Sequence, residues 1–157
     1  MTLIFHNHKF QYEIERVFRG FFPPIKIALS TDIADAQGDF CLTSVEGNTL
    51  YVKLYADGRE YSLSEDVPLG TPAKEQERVL SVLLHRVLRD YTGKDMPWGI
   101  LTGVRPVKLL AGLTDEYSRE KLLVSPEKLS LVQRIDDIQR PMIAQIPKNS
   151  FSLYVSI

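Results

Sequence analysis

The 157-residue chain should adopt an α+β fold, with a mainly antiparallel sheet of about five strands covered by helices and a helical extension behind it. Three observations lead there. Short apolar or period-two runs cluster between Leu3 and Leu63, the last of them joined by the turn pairs Gly47-Asn48 and Asp57-Gly58. An apolar stripe at helical spacing runs from Ala73 to Tyr91. Beyond Trp98 the chain carries repeated cap-and-proline helix starts.

In chain order, Leu3-Ile4-Phe5 suits a buried strand, and Phe10, Ile14, Val17, Phe18, Phe21 and Phe22 recur at helical spacing until Pro23-Pro24 ends the helix. Ile25 to Ser30 alternates with period two, which would place Ile25, Ile27 and Leu29 on one face of a sheet. After a polar loop from Thr31 to Asp39, three strands are expected at Phe40–Val45, Leu50–Tyr55 and Arg59–Leu63, forming a meander. Leu50, Val52 and Leu54 should face the core. Tyr51, Lys53 and Tyr55 should face the other way, with Tyr61 and Arg59 nearby, an aromatic and basic mixture of the kind on which bases stack. Outer-face tyrosines also pack simply on each other, and nucleic acid is not expected as a partner.

Thr71-Pro72 reads as a cap and first-turn proline for the long helix, Gly93 as its stop, and Val79, Leu80, Leu83, Leu84, Val87, Leu88 and Tyr91 as its buried stripe. His85 falls at the stripe's edge. Thr114-Asp115-Glu116 and Ser125-Pro126-Glu127 open further helices; Pro141 should kink or end the last, Pro147-Lys148-Asn149 link it onward, and Phe151–Ile157 form a strand. His6 and His8 would share one side of a strand, yet no third ligand at a recognisable spacing completes a metal site.

Composition narrows the function classes. With 44% hydrophobic and 25% charged residues, a net charge of -1 and a pI near 6.3, the chain suits a soluble domain and argues against a general polyanion binder. Cys41 is the single cysteine, so neither an internal disulfide nor a multi-cysteine metal site can come from this chain alone, and a cytoplasmic location is expected. No apolar run nears the roughly 18 residues a membrane span needs. No Gly-rich phosphate loop, nucleophile elbow or zinc-protease motif occurs.

The least ordinary stretch is Trp98-Gly99-Ile100-Leu101-Thr102-Gly103-Val104-Arg105-Pro106-Val107-Lys108-Leu109-Leu110. Pro106 suits the first turn of a helix carrying Val107, Leu109, Leu110 and Leu113, with Gly103 as the joint before it. Free amides at that helix start, with Arg105 and Lys108 beside them, would hold an anion. The same residues would equally serve a plain turn with solvated or paired cations. Thr102, Gly103, Arg105 and Lys108 are therefore the candidate site, for an anion, a substrate or a docked domain.

Trp98 to Leu109 resembles the W-G-I-L-T-G-x-R-P-x-K-L signature of the HemZ-type coproporphyrinogen dehydrogenases, radical S-adenosylmethionine proteins related to oxygen-independent coproporphyrinogen III oxidases. The likeness continues through Val124 to Lys128 with Leu131 and Ile135, and in Ser152 to Ile157; before Trp98 only the order of elements matches. In that family a Ser-Leu-Tyr-x-x-Ile strand precedes a CxxxCxxC trio whose thiolates hold a [4Fe-4S] cluster, leaving one iron for S-adenosylmethionine. The resemblance thus implies an N-terminal accessory region, residues 1–96 an α+β domain, 97–148 a helical extension and 149–157 the start of a radical barrel. By that reading the barrel and a porphyrinogen are its partners, and the cluster and S-adenosylmethionine belong to the full-length protein. Catalytic residues, bound cofactor and metal ligands are not expected here. Two other classes fit the residues: a self-contained RNA- or anion-binding module, and a purely structural or assembly domain.

Overall fold

A computed structural model describes residues 1–22, 24–103 and 105–145. In chain order its elements are β1 (Thr2–His6), α1 (Gln11–Phe21), β2 (Ala28–Ser30), β3 (Phe40–Glu46), β4 (Thr49–Ala56), β5 (Arg59–Asp66), α2 (Ala73–Thr92), α3 (Pro106–Leu110), α4 (Asp115–Glu120) and α5 (Pro126–Ala144), with a 3-10 turn at Ile33–Asp35. The fold is α+β, as expected. The sheet is mixed, in the order β2-β1-β3-β4-β5: β1 lies parallel to β2 and β3, while β3, β4 and β5 form the antiparallel meander.

Strand alternation builds the core. The register aligns Leu3, Cys41, Leu54 and Tyr61 across four strands, and Phe5, Thr43, Val52 and Leu63 beside them, so one face collects the apolar side chains. On that face pack Ile14, Val17, Phe18 and Phe21 of α1 and Val79, Leu80, Leu83, Leu84, Val87 and Leu88 of α2, all buried. Asp57 and Gly58 both take positive φ, 51° and 72°, the conformation that a tight two-residue hairpin demands. At the end of α2, Gly93 turns left-handed and its N–H bonds the Arg89 carbonyl at 2.8 Å.

Several expectations are corrected. The strand expected over Ile25 to Ser30 shrinks to Ala28–Ser30, and Leu29 is 52% exposed. Its strand is the sheet edge, whereas α2 covers β4 and β5 at the opposite side. Tyr61 and Arg59 do not accompany Tyr51, Lys53 and Tyr55: they pair with Leu54 and Ala56, on the helix-covered face. That divides the expected aromatic and basic surface in two. Thr71 does not cap α2; its hydroxyl donates to the Pro68 carbonyl at 2.7 Å, and Pro72 occupies the cap position. The helix after Pro106 ends at Leu110, because Gly112 and the Thr114 cap start a new element, which leaves Leu113 41% exposed. Of the two outcomes expected at Pro141, a kink or an end, the helix does not end there but runs to Ala144: a proline so near the end forfeits one bond in a solvent-exposed turn. The expected linker and final strand lie outside the described residues.

Candidate functional site

The signature segment divides into two halves with different work. In the first, the N–H of Gly99 bonds the Met96 carbonyl at 2.8 Å and that of Leu101 the Trp98 carbonyl at 3.1 Å, curling the chain into a turn. That turn is clasped from outside: Ile100 donates to the Leu122 carbonyl at 3.0 Å, and Ser125 donates to the Pro97 carbonyl at 3.0 Å. Gly99 has φ 57°, and a Cβ built on it would lie 1.9 Å from the Leu122 oxygen, so only glycine fits. Trp98, Ile100, Leu101 and Val107 pack on a second apolar cluster of Leu110, Leu122, Val124, Leu129 and Val132. Ile100 also packs against the main core, so it joins the two clusters. The Lys128 ammonium sits over the Trp98 ring, 5.3 Å from its centroid.

The second half faces outward. Thr102 is half-buried, and its carbonyl accepts a bond from the Arg16 guanidinium of α1. Gly103 is exposed with open space where a Cβ would stand, so no contact demands glycine there. Arg105 and Lys108 are exposed, and neither forms an ion pair among the described residues. The helix that Arg105 precedes is a single turn that contains Lys108, so its dipole adds little and the two formal charges dominate. The four candidates are close together in sequence, but the structure separates a tethered Thr102 from two exposed cations without an ion-pair partner among the described residues.

Beside this segment lies a cleft of about 620 Å³ between α1, α2 and α3, lined among others by Glu13, Val17, Arg78, Leu109 and Tyr117. Arg78 holds Glu75 by two bonds, 2.9 and 2.6 Å, and also donates to the Lys121 carbonyl at 2.9 Å, tying α2 to the end of α4. Those guanidinium bonds hold the Glu75 carboxyl below its ordinary range, whereas burial, helped by the nearby Glu13 charge, pushes Glu77 up.

The pattern puts His85 at the edge of the α2 stripe, and the structure corrects this by burying it fully. It is 1% exposed, both ring nitrogens lack a hydrogen-bond partner, and the nearest carboxylate, Asp95, stands 3.8 Å away. Burial pulls its pKa down to about 4, with Asp95 opposing. The signal was the unbroken apolar character of Val82-Leu83-Leu84 before it, which marks a helix covered on more than one side. His8, considered with His6 for a metal, instead bonds through Nε2 to the Thr43 hydroxyl at 3.0 Å and lies 3.2 Å from the Thr43 carbonyl. Among the described residues no three His, Cys, Asp or Glu side chains gather as metal ligands. The one thiol, Cys41, is buried in the core with its pKa pushed up, so this chain's residues do not fit an iron–sulfur cluster. No helix of the described residues is long and apolar enough to cross a membrane.

Comparison with known proteins is informative at this point. The oxygen-independent coproporphyrinogen-III oxidase-like protein HemZ of Bacillus subtilis (strain 168) is 34% identical over an alignment of 108 residues. Over that stretch the chain is similar to HemZ. The match covers 60% of this chain and 21% of HemZ, so the chain spans about a fifth of its relative's length. No family profile and no solved structure matches it.

Proposed function

We propose that this chain is the accessory region of a radical S-adenosylmethionine enzyme resembling HemZ, active in the oxidative decarboxylation of porphyrinogen propionates. The region itself holds and orients. What supports this reading best is the division within the signature: Trp98 to Leu101 is consumed in joining two apolar clusters, while Arg105 and Lys108 are left as free cations beyond it. A guanidinium and an ammonium in that position suit a propionate carboxylate, or a carboxylate on the barrel to which the region docks. The end of α5 adds an apolar margin for docking, with Ile138, Met142 and Ile143 each more than 60% exposed. The cluster and the S-adenosylmethionine site belong, on this reading, to the part of the enzyme this chain does not include.

Arg105→Ala in the full-length protein tests the role of the cations. Loss of a charged hydrogen bond to substrate should raise KM for coproporphyrinogen III about tenfold, with circular dichroism unchanged. Unchanged KM and kcat in a folded variant would remove Arg105 from both roles.

A further inference from the structure

A second cleft, of about 470 Å³, lies away from the signature segment, where the end of α1, the start of β5 and the end of α2 meet. Its walls are aromatic: Phe22, Tyr61 and Tyr91 are half-buried there. The Tyr61 and Tyr91 rings meet edge to face with centroids 5.7 Å apart, and Phe22 and Tyr91 lie tilted at 6.3 Å. Phe22 stacks on Phe18 with centroids 4.7 Å apart, whereas the edge-to-face pair of Tyr61 and Tyr91 leaves ring surface toward the cleft. Arg59 and Lys94 line the same cleft; both are exposed, and neither is ion-paired among the described residues. Asp57 lines the cleft as well, and through Oδ2 it accepts a hydrogen bond from the Tyr91 hydroxyl at 2.8 Å. Its other carboxylate oxygen has no side-chain partner among the described residues and can accept from an amino group.

Aromatic walls, two unpaired cations and a carboxylate acceptor make three separate demands on a ligand: a flat ring, an anionic group and a hydrogen-bond donor on the ring. We propose that this cleft binds a mononucleotide carrying an amino-substituted base. The base lies against Tyr61 and Tyr91 with its amino group on Asp57, and the phosphate meets Arg59 and Lys94. This site is independent of the role assigned to Arg105 and Lys108.

Adenosine 5'-monophosphate, adenosine and inorganic phosphate, each titrated into the chain, test it, read by the ring resonances of Tyr61 and Tyr91 and by calorimetry. The monophosphate should bind and move both rings at millimolar concentration or below. Adenosine should bind about tenfold more weakly, as should the monophosphate to Arg59→Ala and to Lys94→Ala, since each loses a charged contact. Both side chains are exposed, so the variants should keep the wild-type circular dichroism. Rings unmoved by millimolar monophosphate, equal affinity for adenosine, or wild-type affinity in both variants would each overturn the proposal.

Discussion

Gly99 and His85 are the two positions at which one side chain decides most. Gly99→Ala would thrust a methyl into the Leu122 carbonyl and force a positive φ on a residue that resists it. The clasp must then open, and urea unfolding should show a loss of about 3 kcal/mol or more; a loss under about 1 kcal/mol would mean the turn is not held as described. His85 makes stability depend on pH. Its folded pKa of about 4 lies below the ordinary 6.5, so the unfolded chain binds a proton in that window that the folded chain refuses. Stability from this group is therefore complete above pH 6.5 and falls as pH drops toward 4, by up to about 3 kcal/mol. His85→Leu should flatten that part of the stability profile. Equal slopes for wild type and variant between pH 7 and pH 5 would show that His85 is not buried neutral.

The caps of α4 and α5 and the hairpin turns are legible in the sequence because their rules are local, although the same rule misplaces the cap of α2 at Thr71. Thr114 accepts the Tyr117 N–H at 3.2 Å and Ser125 the Lys128 N–H at 3.3 Å, each at a position that the cap pattern marks. Ser125→Ala should accordingly cost about 1 kcal/mol in thermal unfolding, and Ser125→Asn much less; equal losses would deny the hydroxyl its capping role. The alternation of Leu50, Val52 and Leu54 likewise fixed which face of β4 is buried. What escaped depends on distant partners. Leu29 has a core residue's chemistry but lies on an edge strand out of reach of α2, and Tyr61 changes faces once its pairing with Leu54 is known. His85 is buried by more than the sheet side of α2, and the need for glycine at position 99 comes from the Leu122 carbonyl. No spacing rule connects those positions.

Taken whole, the molecule is a sheet layer and a helical cluster joined through Ile100. Ile100→Ala should loosen both at once, costing about 2 to 4 kcal/mol and exposing Trp98, which its fluorescence would register as a red shift. A loss confined to one cluster, with Trp98 emission unchanged, would contradict that joint. The candidate site was legible only in part: Arg105 and Lys108 stood out by charge, but that Thr102 would be tied back to Arg16 of α1 depends on a contact across the fold. A scaffold similar to part of HemZ, with Arg105 and Lys108 exposed and not ion-paired among the described residues and an exposed apolar end on α5, is consistent with the proposed accessory role. The most direct test of that claim is carbon dioxide release from coproporphyrinogen III by the full-length protein, assayed without oxygen, with its cluster reduced and S-adenosylmethionine supplied. The account predicts release that requires S-adenosylmethionine and falls about tenfold or more in an Arg105→Ala/Lys108→Ala double variant at low substrate. No release from the wild-type protein with an intact cluster would contradict it.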